Sequence, residues 1–133
     1  MFLLDTNVVS ELRRIRPHGS VLAWLRATPE EHLHIAAVTI GELQAGVEVT
    51  REQDSDKATQ IEGWIDNIAA TYNIVPLDAS IFRRWARLMH RVGRQYSEDA
   101  MIAATAEVRN LTVVTRNVRD FKHFSVAIFN PFP

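Results

Sequence analysis

Phe2-Leu3-Leu4-Asp5-Thr6-Asn7-Val8-Val9-Ser10-Glu11-Leu12 is a short apolar run that stops at an aspartate and turns into a helical pattern. A buried strand that delivers a carboxylate to its C-terminal tip, just ahead of a helix, sets that carboxylate where open α/β sheets keep their ligand crevices. Asp5 is therefore the first candidate for chemistry. Asp is also a favoured helix N-cap, so its meaning depends on what the rest of the chain brings to it.

Outward from this segment, strand-like and helical patterns alternate. The pattern predicts strands at Phe2–Leu4, His34–Val38, Ile74–Leu77, Leu111–Val114 and Val126–Phe129. Helices are expected over about Val8–Arg14, from a Ser20 cap through Leu25, from Thr39 onward, and over Glu52–Tyr72, where Ala58, Ile61, Ile65, Ile68 and Ala69 keep a helical period. Two more are expected: one from an Asp78 cap to Val92 and Gly93, and one of small residues after Ser97, over Asp99–Val108. Such alternation predicts an α/β fold with a central, mostly parallel sheet and helices on both faces.

At 133 residues and 47% hydrophobic content, the chain suits a single domain over 1–133. It has no cysteine, which removes disulfides and thiolate metal sites. No leader-like or membrane-spanning run is visible, so a soluble, cytoplasmic protein is expected. Net charge is −1, so nucleic-acid binding would need a local basic patch. The helix after Asp78 supplies a candidate. At 100° per residue, Ile81, Phe82, Trp85, Ala86, Leu88, Met89 and Val92 fall on one side, and Arg83, Arg84, Arg87, Arg91 and Arg94 on the other. An ordinary solvent-facing stripe and a phosphate-contacting rail both fit that pattern.

Each remaining acid also has a structural explanation. Thr39-Ile40-Gly41-Glu42 fits a capping box, Asp99 falls in a first helical turn where the macrodipole favours carboxylates, and Asp120 fits a turn before Phe121. Jointly they lie where the chain leaves strands or enters helices, positions that a parallel sheet collects at one end. Converging carboxylates raise one another's pKa unless a cation intervenes. Oxygen-only ligands point to Mg²⁺ or Mn²⁺, and such an ion suits phosphodiester hydrolysis. Zinc is disfavoured: the five histidines form no HExxH arrangement, and His32 and His34 make only an HxH pair.

Four blocks, Leu3–Leu12, Thr39–Gly46, Asp99–Ala106 and Thr115–Phe121, closely resemble the signature blocks of PIN-domain proteins, and of the VapC toxin group with its FitB-like members in particular. The resemblance implies a three-layer α/β/α fold and a Mg²⁺- or Mn²⁺-dependent endoribonuclease acting as the toxin of a toxin-antitoxin module. It also implies a homodimer, a cognate antitoxin that silences it, and DNA contact only through that antitoxin. Carried over by position, it makes Asp5, Glu42 and Asp99 the metal ligands, with Thr6, Asn7 and Thr115 supporting them. Where FitB-like members carry Asp, this chain has Asn117, with Asp120 three residues later. Asn117 is then polar support and Asp120 a peripheral acid, which favours one cation over two.

The implied reaction places the scissile phosphate on the metal, uses one carboxylate to take a proton from the attacking water, and leaves a 5′-phosphate and a 3′-hydroxyl. RNA contacts are expected from Arg83, Arg84, Arg87, Arg91 and Arg94, then from Arg116 and Arg119. Trp24, Trp64 and Trp85 are expected in the core or at the antitoxin interface, with an antitoxin groove framed by Val8–Arg14 and the helix after Glu52. A HAD-like phosphotransferase would need an acid at Asn7, and no P-loop is present. The competing reading is a catalytically silent PIN-like RNA-binding or protein-interaction module, motivated by Asn117.

Overall fold

Leu3 and Leu4 are both fully buried but point to opposite faces of the sheet, as the two-residue period of a strand requires. The computed structural model describes all 133 residues, and the strand holding this pair, β1 (Phe2–Leu4), lies at the centre of a five-stranded sheet. The others are β2 (Leu33–Ala36), β3 (Asn73–Val75), β4 (Thr112–Val114) and β5 (Ile128–Phe129). Their order is β3-β2-β1-β4-β5, and every pairing is parallel. The chain runs outward from β1 to β3, then returns to β1's other side for β4. The β1/β4 boundary is thus the topological switch point, where an open parallel sheet forms its ligand crevice.

On one face, Leu3, Val113 and Ala36 meet α5 (Ala79–Val92) and α6 (Ser97–Arg109) through Ile81, Leu88 and Ile102, with Phe121 of α7 (Val118–Phe121) alongside. On the other, Leu4, Val114 and Ile35 meet α1 (Thr6–Val9), α2 (Gly19–Ala27) and α4 (Ser55–Thr71) through Val8, Val9, Val21, Leu25 and Ile68. This is a three-layer α/β/α arrangement. Helix α6 is enclosed along most of its length, Ala100 to Ala106 all being buried. Its small residues let it approach the sheet closely, and Thr105 satisfies its hydroxyl on the Met101 carbonyl at 2.8 Å.

Several boundaries differ from the sequence-based expectation. The helix placed at Val8–Arg14 starts at Thr6 and tightens into a 3₁₀ turn at Ser10–Arg13. Glu11 in that turn is buried and ties it to the segment ahead of α2: its carboxylate takes the His18 backbone N–H at 3.0 Å and sits 2.9 Å from His18 Nδ1. Helix α2 is preceded by His18, with Ser20 already inside it. Helix α3 (Ala37–Gln53) opens two residues before Thr39, so Val38 leaves the strand. Asp54 alone separates α3 from α4, and its carboxylate caps α4 at the Lys57 N–H, 3.0 Å away. Strand β3 starts at Asn73 and ends before Pro76, which has no N–H for the ladder, and β5 is shorter than Val126–Phe129.

The Asp78 cap is as expected, accepting from the Ile81 N–H at 3.0 Å. At its other end α5 stops on Gly93, with φ 94° and ψ 165°, a conformation open essentially to glycine alone. A Cβ there would also meet Gln95 Oε1 at 2.8 Å. Gly93→Ala is expected to destabilise the protein by about 1–3 kcal/mol, read from urea unfolding.

Candidate active site

Asp5 ends β1, and its backbone N–H is still bound to the Val114 carbonyl of β4 at 2.9 Å. Its side chain is 5% exposed. It does cap α1, with Oδ1 accepting the Thr6 N–H at 2.8 Å. The cap uses only one oxygen. Oδ2 accepts from Thr115 Oγ1 at 2.7 Å and from Asn7 Nδ2 at 3.1 Å, so the carboxylate is clamped from both sides of the switch point.

Asn7 and Thr115 are a linked support. Asn7 Nδ2 lies 3.3 Å from Thr115 Oγ1, and its Oδ1 accepts the Arg116 N–H at 3.1 Å. Thr115 Oγ1 in turn accepts the Asn117 N–H at 2.9 Å. An amide is required at Asn7 because it must donate to Asp5 and accept from Arg116. A carboxylate there would set a like charge against Asp5, which gives a physical reason against the HAD-like pattern.

The capping box does not form. The residue ahead of α3 is Ala36, and Thr39 Oγ1 is buried without a partner. Glu42 is one turn too far into the helix to reach back to its start. Instead its Oε2 accepts from Thr6 Oγ1 at 3.1 Å, while its Oε1 is buried with no hydrogen-bond partner at all. Asp99 joins from the first turn of α6. Asp5, Glu42 and Asp99 share a cavity of about 310 Å³ with Thr6, Asn7, Ser10, Ile102, Asn117 and Glu98. Glu98 was missed in the sequence. Its signal was its place beside Asp99 in Ser97-Glu98-Asp99, in the same first turn of α6. Asp120 does not line the cavity; from α7 it acts on Asp99 only through its charge.

The electrostatics follow from burial and crowding. Burial raises the Asp5 pKa, against hydrogen bonds from Thr115, Thr6 and Asn7 that lower it. Burial, then the charge of Glu98, pushes Glu42 up to about 7. Burial, then Asp5, Asp120 and Glu98, pushes Asp99 up to about 6. No basic side chain lines the cavity. No three His, Cys, Asp or Glu side chains form a closed metal-ligand set. The fit to a hard cation lies in the all-oxygen donor set and in the Glu42 Oε1 that lacks a donor.

The five arginines of the α5 region do not form one rail. Arg84 lies between Ile81 and Leu88 on the helix's inner side, where it pairs with Glu107 of α6. Arg91 donates to the His123 carbonyl at 3.2 Å. Arg83, Arg87 and Arg94 are exposed and have no acid partner, whereas Phe82, expected on the buried side, is 44% exposed. Arg116 stacks on Phe132 at 4.9 Å, and Arg119 is exposed. The tryptophans are half-buried: Trp24 packs between Phe2 and Phe129, Trp64 lies under Arg13, and Trp85 donates to the Ser97 carbonyl.

This arrangement has close counterparts. The PIN domain family model matches residues 2–126. The chain belongs to the PIN domain family. It is 34% identical to the toxin FitB of Neisseria gonorrhoeae and 33% identical to the VapC ribonuclease Y4jK of Sinorhizobium fredii. Those matches cover 99% of this chain, and 99% and 98% of the two relatives. In three dimensions it superposes on FitAcB from Neisseria gonorrhoeae with a TM-score of 0.86 at 33% identity, covering 98% of each chain. The structure of FitAB bound to an IR36 DNA fragment matches with the same score at 31% identity, covering 98% of this chain and 95% of that one. No helix of this PIN domain is long and apolar enough to cross a membrane.

The raised carboxylates carry a pH signature. A group whose folded pKa exceeds its unfolded value contributes stability below the unfolded pKa and loses it as pH rises through the folded one. For Asp99 and Glu42 the loss runs from about pH 4 to pH 7. In EDTA, urea unfolding is expected to show stability falling by about 1–2 kcal/mol across that window, solvent screening allowed for. Asp99→Asn is expected to flatten the slope.

Proposed function

We propose that this protein is a divalent-cation-dependent endoribonuclease and the toxin of a toxin-antitoxin module. The observation that carries the reading is the Asp5, Glu42 and Asp99 set at the switch point, with a buried Glu42 oxygen that no protein donor satisfies. The relatives named as a FitB toxin and a VapC ribonuclease, matched end to end, support it. Mg²⁺ or Mn²⁺, held by Asp5, Asp99 and Glu42, would supply Lewis acidity toward a phosphodiester and offset the mutual repulsion of the acids.

The chain's own residues supply the rest. Thr115 and Asn7 fix the Asp5 carboxylate from two directions, so its orientation is set before substrate arrives. Thr6 holds one oxygen of Glu42, and the other is buried without a donor. Glu42, at the wall of the cavity, is the carboxylate that would accept a proton from the attacking water. Asn117 lines the cavity as a neutral polar group beside its four carboxylates, Asp5, Glu42, Glu98 and Asp99. Arg83, Arg87, Arg94, Arg116 and Arg119 are exposed cations available to an RNA backbone. A cognate antitoxin would silence the site by setting a cation of its own, such as an arginine, among the same carboxylates. A homodimer completes the proposed assembly, and any DNA contact would run through the antitoxin.

A catalytically silent RNA-binding or interaction module is the competing reading, because Asn117 replaces an acid of FitB-like members. The pKa shifts of Glu42 and Asp99 speak for chemistry, since perturbed groups gather at working sites. Cleavage of structured RNA is expected with Mn²⁺ or Mg²⁺ and is expected to stop in EDTA. Glu42→Gln should lower kcat by about 100-fold or more, and Asp5→Ala and Asp99→Ala should abolish turnover. Cleavage that persists without metal and in both alanine variants contradicts the reading, and RNA binding without any cleavage favours the silent module.

A further inference from the structure

The catalytic cavity continues into a second hollow. Ser10 and Glu42 line both, and the second, about 260 Å³, lies between α3, α4 and the 3₁₀ turn after α1. It occupies the place where the sequence suggested an antitoxin groove, but its rim is not simply apolar. Arg13 and Lys57 stand on it, both exposed, and neither side chain has a carboxylate partner. Cations just outside the groove are treated differently: Arg51 pairs with Glu48 and Glu62, and Arg14 with Glu11. Arg13 is held in place by its guanidinium over the Trp64 ring, 5.7 Å from the centroid. Stacking of that kind orders the group and leaves its N–H edges free to bind an anion.

An endonuclease cuts within a strand, so nucleotides on both sides of the scissile phosphate must run over surfaces adjoining the cavity. The cavity walls are acidic and repel that strand. Among the cations of the chain, Arg13 and Lys57 are the ones whose hollow shares two residues with the catalytic cavity. Arg83 and Arg87 line neither.

We propose that the α3/α4 groove is a backbone subsite for single-stranded RNA, in which Arg13 and Lys57 bind phosphates flanking the scissile one. This rests on the nuclease reading and adds to it a direction for the strand, past Glu42 and Ser10 toward Thr50 at the far wall. A protein that covers this groove would exclude substrate without reaching Asp5 or Asp99, which do not line it.

The test is binding of a short labelled single-stranded RNA to the Asp99→Asn protein in EDTA over a range of salt. Adding Arg13→Ala and Lys57→Ala together should raise Kd about tenfold or more. It should also flatten the slope of log K against log salt by about 1.4, from about 0.7 per lost phosphate contact. Arg13→Lys in place of Arg13→Ala should restore part of the slope, and unchanged circular dichroism separates these effects from unfolding. Unchanged Kd and slope in the double variant overturn the proposal, as does failure of the parent protein to bind. A double variant that keeps RNA binding but loses an acidic protein partner assigns the groove to that partner and also overturns it. If the protein with Asp99 intact still cleaves RNA with Mn²⁺ in a separate assay, the groove assignment alone has failed; if the protein neither binds nor cleaves RNA, the nuclease reading fails with it.

Discussion

The hydrogen bond from Thr115 Oγ1 to Asp5 Oδ2, 2.7 Å across the β1/β4 boundary, is the contact on which the site depends. It joins residues 110 positions apart in sequence and exists only because β4 returns to pair beside β1. Thr115 is fully buried, so its hydroxyl has little choice of partner, and a buried hydroxyl left alone costs about 1–3 kcal/mol. Asn7 closes the other side, bonding Asp5, Thr115 and the backbone at Arg116 together. The sheet topology therefore does more than collect acids at one end. It fixes the central one before any substrate or ion is present.

The other carboxylates are less restrained and more costly. Glu42 and Asp99 are half-buried, face like charges, and have pKa values raised to about 7 and about 6. A fold selected for stability alone would place cations or apolar groups here. Instead the cations stand elsewhere: Arg84 on Glu107, Arg109 on Asp78, and Arg13 and Lys57 on the neighbouring groove. That separation of charge is the kind of local conflict expected at functional sites.

Much of the layout was legible in the sequence because it follows from simple periodicities. Leu3 and Leu4 before Asp5, the Asp78 cap and the Gly93 stop are local signals, and their structural outcome is local. The joint argument for Asp5, Glu42 and Asp99 worked because a parallel sheet leaves its strand ends at one side. The errors arose where tertiary contacts override a local motif. Thr39 and Glu42 match a capping box, yet α3 begins two residues earlier and Glu42 turns to Thr6 of another element. Arg84 falls on the charged side of a helical projection, yet Glu107 on the neighbouring helix draws it inward. Glu98 escaped notice because nothing in its local sequence sets it apart from an ordinary exposed acid, and only the packing of α6 brings it to the cavity.

The central claim is that the carboxylates at the switch point are held together against repulsion so that a divalent cation can relieve it. Calorimetric titration of the protein with Mn²⁺ near pH 6.5, repeated in buffers of different ionisation enthalpy, tests this most directly, because groups with raised pKa must release protons when a cation binds. The account predicts binding with net proton release, the release mostly removed in Glu42→Gln and the binding itself lost in Asp99→Asn. Absence of binding, or binding whose heat does not depend on the buffer, would contradict it.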